Sequence, residues 1–184
     1  MKSLHLFKSS LSLACCAAAF SGTTNHKAHV HGNAKLILAL ESDTQGNVDL
    51  DVPAESIFGF EHKARTQKDK VSEKAGLEKL RKAVPEVIRF SPDLGCTFKV
   101  SKLELEAEEK DSDHDEKAEE LHGEHEDVNL SYQVQCKKSL KGSSVQVGLI
   151  DAFSRIKGVS FQILKESGQK EQVVNNGKQS YRID

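Results

Sequence analysis

From Cys96 to Cys136 the chain reads CTFKVSKLELEAEEKDSDHDEKAEELHGEHEDVNLSYQVQC. Apolar residues alternate at both ends of this stretch. Cys96, Phe98 and Val100 share one parity, and Val128, Leu130, Tyr132, Val134 and Cys136 alternate in the same way. Alternation with period two is the signature of a half-buried strand. The first run slips parity to Leu103 and Leu105, which predicts a β-bulge. Between the runs, Glu104 to Asp127 holds thirteen Asp and Glu against two Lys, a net charge of about −11 with histidines neutral. A run of like charge repels itself and has no core to bury, so residues of about 106–127 are expected as a disordered, solvated loop inserted in a long hairpin. A plain antiparallel register places Cys96 opposite Cys136.

Working outward, the rest of the chain holds 24 Lys and Arg against 15 Asp and Glu, about +9, and the whole carries −2. No basic stripe with interleaved aromatics appears, so nucleic acid is not an expected partner. Residues 1–22 combine Lys2 and Lys8, an apolar run from Leu11 to Phe20 and small residues thereafter. That pattern reads as a secretory signal peptide. Cys15 or Cys16 as a lipoprotein cysteine is the alternative. Beyond it no apolar run approaches the roughly 20 residues a membrane span needs. Cys96 and Cys136 then remain as an isolated pair. In an oxidising compartment such a pair reads as one disulfide. Two buried free thiols, or a metal–thiolate pair, are the alternatives. A bridge across this loop contributes roughly 4 kcal/mol by chain entropy.

Leu36, Leu38 and Leu40 share a strand face, as do Val48, Leu50 and Val52, and the linker around Gly46 joins them as a hairpin. If the first strand extends back, His29 and His31 stand together on the opposite face with Lys35 and Glu41, their Cβ atoms roughly 6–7 Å apart. Pro53–His62 is a connector. A helix follows over about Ala64 to Val84, with Val71, Ala75, Leu80 and Val84 near one face; Gly76 costs it about 1 kcal/mol relative to Ala, and Pro85 ends it. The last part reads as a strand (144–149), a short helix (150–155), a strand (158–164), a turn at Gly168 and a strand (169–174), with Tyr181–Ile183 as an edge. The expected fold class is α+β: a mostly antiparallel sheet with one long and one short helix packed on one face, in a single domain over residues 23–184.

Histidine is the commonest metal-ligating side chain, and carboxylates complete many such sites. His29 and His31 suit a framework site completed by Glu61 and His62. His114, His122 and His125, among the acids of the loop, suit a second site of low affinity and high capacity. Imidazole with carboxylate favours zinc, other divalent transition metals being possible. Against this stand ordinary exposed histidines and a charge run kept for solubility. Enzymatic signatures are missing: there is no His-Glu-x-x-His, no Gly-x-Ser-x-Gly and no phosphate-cradling glycine loop. Two other functions are open. The acidic loop could contact a basic partner, which excess chelator would not disturb. A metal-dependent hydrolase, with Glu61 and His62 as an acid/base pair, would need an enclosed pocket.

Ala28-His29-Val30-His31-Gly32, Gly59-Phe60-Glu61-His62, Cys96, the acidic His-bearing loop, Tyr132-x-x-x-Cys136 and the Gly168-Gln169 turn occur in this order. The order and spacing resemble the ZrgA-type periplasmic zinc-binding proteins of Gram-negative bacteria, over essentially the whole chain after the signal. The resemblance implies a periplasmic, non-enzymatic α+β domain that binds zinc and assists its uptake alongside an ABC-type importer. It implies His29, His31 and His62 as framework ligands and His114, His122 and His125 as loop ligands. The loop departs from the resemblance, because relatives carry longer histidine tracts.

Overall fold

The computed structural model describes residues 31–107 and 125–184. The expected signal peptide, His29, His114 and His122 lie outside the described residues. The first hairpin forms as the alternation predicts. Strand β1 (Asn33–Leu40) pairs antiparallel with β2 (Gln45–Pro53), setting Leu36 opposite Leu50 and Leu38 opposite Val48. Strands β4 (Thr97–Ala107) and β5 (Glu126–Gln135) form the long hairpin, and β5 also pairs with β2. Thr97 opposes Gln135, and Val100 opposes Tyr132; a register shift between Val100 and Lys102 then puts Leu103 opposite Leu130. The bulge keeps Phe98, Val100, Leu103 and Leu105 on the core side despite their change of parity. Just beyond the pairing, Cys96 and Cys136 are joined as a disulfide.

The fold class differs from the expectation. Strands hold 45% of the described residues and helices 23%. The main sheet is mixed, with six strands in the order β4-β5-β2-β1-β7-β8. Here β7 (Gly158–Lys165) runs parallel to β1, and β8 (Gly168–Val174) pairs antiparallel with β7. Hairpin reasoning joins sequence neighbours, whereas a parallel pair is made by a long crossover and leaves no turn signal. Residues expected to extend the main sheet form a second, three-stranded one: β3 (Arg89–Phe90), β6 (Ser144–Gln146) and β9 (Ser180–Arg182), in the order β3-β6-β9.

One apolar row shows how the sheet makes its core. Leu103, Leu130, Leu50, Leu36 and Phe161 lie side by side across β4, β5, β2, β1 and β7. Leu130, Leu36 and Phe161 are completely buried. Each such side chain contributes about 1.5–3 kcal/mol through burial. The small sheet joins this core through aromatic contacts, Phe161 with Tyr181 and Phe90 with Phe98, at ring separations of 5.5 and 6.1 Å.

The helices also depart from the expectation. The connector contains a short helix, α1 (Ala54–Phe58). The long helix α2 (Gln67–Lys82) starts later than predicted, because Thr66 and Asp69 form a capping box. It does not lie across the sheet; it leans on α1 and approaches the sheet beside β4. Its inward residues are Gly76 and Leu80, while Val71, expected inside, is 58% exposed. Gly76 is buried because a Cβ there would meet Phe58 Cδ1 at 2.5 Å. Pro85 lies in the first turn of another short helix, α3 (Val84–Val87), and the last helix, α4 (Leu149–Ala152), is shorter than expected.

Candidate metal centre

Three segments meet at one end of the main sheet. His31 stands at the entry to β1, but not on its face. The strand starts at Asn33, and Gly32, with φ +80°, breaks the alternation before it. The placement of His31 on a strand face is therefore corrected. The Gly32 carbonyl accepts hydrogen bonds from Lys157 N at 2.7 Å and Gly158 N at 3.2 Å, where β7 begins beside β1. Glu61 follows α1, whose last turn closes when Gly59 N–H donates to Glu55 O at 2.8 Å. His125 immediately precedes β5. The β2–β5 pairing ends with Pro53 opposite Asp127, so it brings the connector after β2 to the start of β5. There Glu126 N donates to Glu61 O at 2.9 Å.

The side chains meet as the backbones do. Glu61 Oε2 lies 3.4 Å from His31 Nδ1 and 3.1 Å from His125 Nδ1. The carboxylate is thus shared by a histidine from each side. His31 is 66% exposed, His125 40% and Glu61 35%. Even fully charged pairs this exposed contribute only about 0–1 kcal/mol. Stability is a weak reason for the arrangement, whereas access for a dissolved ion is a direct consequence of it. Among the described residues, no three His, Cys, Asp or Glu side chains form a ready-made metal cage. The cluster is two pairs sharing one oxygen.

His62 is differently engaged. Its Nδ1 is 3.0 Å from Lys63 O. A carbonyl only accepts, so Nδ1 is the donor in this contact. The ring stacks on Phe60 with centroids 5.1 Å apart. Nearby, hydrogen bonds from Thr66 hold the Asp69 carboxyl below its ordinary value. The structure thus brings together His31 and Glu61 and adds His125, which the sequence groups with the loop. The alternation of β5 extends back to Glu126, whose side chain is only 9% exposed. That continuation marks His125 as the residue at the strand's entrance. Two surface clefts, of about 250 and 460 Å³, are lined by other residues, including Gln45 and Phe98 in one and Arg89 and Ser144 in the other.

No helix among the described residues is long and apolar enough to cross a membrane. A family model described as ZrgA family zinc uptake protein matches residues 28–183. No curated protein matches the chain.

Proposed function

This chain belongs to the ZrgA family of zinc uptake proteins, and we propose that it serves uptake by capturing zinc at His31, Glu61 and His125. The observation that carries the reading is the shared Glu61 oxygen, 3.4 and 3.1 Å from the two imidazole nitrogens. A tetrahedral zinc ion with N and O ligands at about 2.0–2.1 Å spaces its donors about 3.3 Å apart. The two spacings bracket that value. Two imidazoles and one carboxylate are donors that zinc accepts, and three protein ligands leave a fourth position for water or for an incoming ligand. The site's exposure suits a carrier that must release its cargo.

In this proposal the acidic segment acts as a collector. Its charge of about −11 over residues 104–127 raises the local concentration of cations, and His114 and His122 add weak imidazole ligands. The protein works outside the cytoplasm, in the periplasm, where the Cys96–Cys136 disulfide persists. It passes zinc to a component of an ABC-type importer and catalyses no reaction itself.

The test is calorimetric titration of zinc into the chain from about residue 23, beside Glu61→Ala. The proposal expects a site that Glu61→Ala weakens by about 10- to 100-fold or more, since even outer-shell losses cost that much. Equal binding by both proteins would refute it.

A further inference from the structure

We infer that Arg155 is a positioning residue for the His31–Glu61–His125 cluster, through its contact with the backbone at Gly59; this rests on the zinc reading of that cluster. The two chain segments that supply His31 and Glu61 each carry a glycine within two residues of the ligand residue. Gly32 follows His31 with φ +80°, and Gly59 precedes Phe60 and Glu61 with φ +92°. Both glycines pack against one short stretch, the turn between α4 and β7. A Cβ on Gly32 would lie 3.0 Å from the backbone oxygen of Arg155 and 3.2 Å from Lys157 Cγ. A Cβ on Gly59 would lie 2.9 Å from Arg155 Nη2 and 3.1 Å from its Cζ. The main chain of this turn therefore seats the first segment, and the Arg155 guanidinium seats the second.

Gly32 is also fixed by two hydrogen bonds from Lys157 and Gly158 to its carbonyl. The Gly59–Glu61 segment is fixed by the helix-closing bond to Glu55, by Phe60 against Phe58, and by Glu126 N–H on Glu61 O. Glycine in the left-handed region adopts many conformations at little cost. The planar guanidinium over Gly59 restricts that freedom and holds Glu61 within reach of both histidines. Arg155 is itself exposed, so its removal leaves no hole in the core. Outer groups that orient metal ligands are typically worth 10–100-fold in affinity.

The experiment titrates zinc ion into the wild type, Glu61→Ala, Arg155→Ala and Arg155→Lys, and follows backbone amide NMR signals of the metal-free proteins. The expected result is about tenfold weaker binding in Arg155→Ala. Arg155→Lys falls between it and the wild type, because lysine keeps the charge without the planar fork. In Arg155→Ala the amide signals of Gly59 to His62 move while that of Gly32 stays. Wild-type affinity in Arg155→Ala would overturn the inference. If instead Glu61→Ala binds zinc as the wild type does, the zinc reading fails. The amide signals then decide alone: unmoved signals at Gly59 to His62 overturn the positioning role, and moved ones sustain it.

Discussion

Glu61 Oε2 stands 3.1 Å from His125 Nδ1, so the last histidine of the acidic stretch belongs to the framework of the fold. The pairing of β2 with β5 makes that meeting, and the hydrogen bond from Glu126 N to Glu61 O secures it. His125→Ala should therefore weaken zinc binding about as much as His31→Ala, by at least about tenfold. His62→Ala, which removes a ring engaged with Lys63 O and Phe60, should weaken it far less. Calorimetric titration of the three variants checks the order.

The disulfide lies at the other end of β5 from His125. Replacing both cysteines by serine frees a loop with a sequence separation of 40, which should cost about 4 kcal/mol of stability. Urea unfolding measures that loss. Below the unfolding transition the zinc affinity should be unchanged, because the β4–β5 pairs between the disulfide and the site remain.

Gly76→Ala should destabilise the protein, although alanine is the better helix former by about 1 kcal/mol. The added Cβ would meet Phe58 Cδ1 at 2.5 Å and Ile57 Cγ2 at 3.1 Å, both on α1. Overpacking of this sort costs about 1–3 kcal/mol. A fall in melting temperature is expected, and a rise would show that α1 yields freely.

The cap of α2 gives a pH dependence of definite sign. Thr66 donates from backbone N–H to Asp69 Oδ2 at 2.8 Å, and Asp69 N donates to Thr66 Oγ1 at 3.1 Å. Hydrogen bonds from Thr66 hold the Asp69 carboxyl below its ordinary value of 3.8. A lowered folded pKa means that the contribution is fully present above the ordinary value and is lost as pH falls through the lowered one. Thr66→Ala should cost about 1 kcal/mol at neutral pH. The carboxylate itself is probed by Asp69→Asn, whose gap to the wild type should narrow below pH 3.8 as the wild-type carboxyl takes up its proton, as read by unfolding at several pH values.

Local patterns were legible in the sequence. The β1–β2 hairpin, the β4–β5 hairpin with its bulge, and the cysteine register each follow from alternation within a short stretch. The parallel pairing of β1 with β7 was not legible, since its partners come from opposite ends of the chain. Val71 and Ala75, placed on the apolar face of α2, are exposed, because α2 buries only a narrow strip against α1 and apolar spacing alone set the face. Among the site residues, His31 and Glu61 were identified by residue type and neighbourhood, while their geometry depends on Gly32 and on the β2–β5 pairing. His125 was placed with the loop because the acidic run hides where the strand begins.

The most direct test replaces residues 108–124 by a Gly/Ser linker, keeps His125, and titrates zinc by calorimetry. The account predicts that one tight site survives while weaker binding is lost with the acidic segment. Loss of all zinc binding in this variant would contradict it, and would move the function from the Glu61 cluster to the loop.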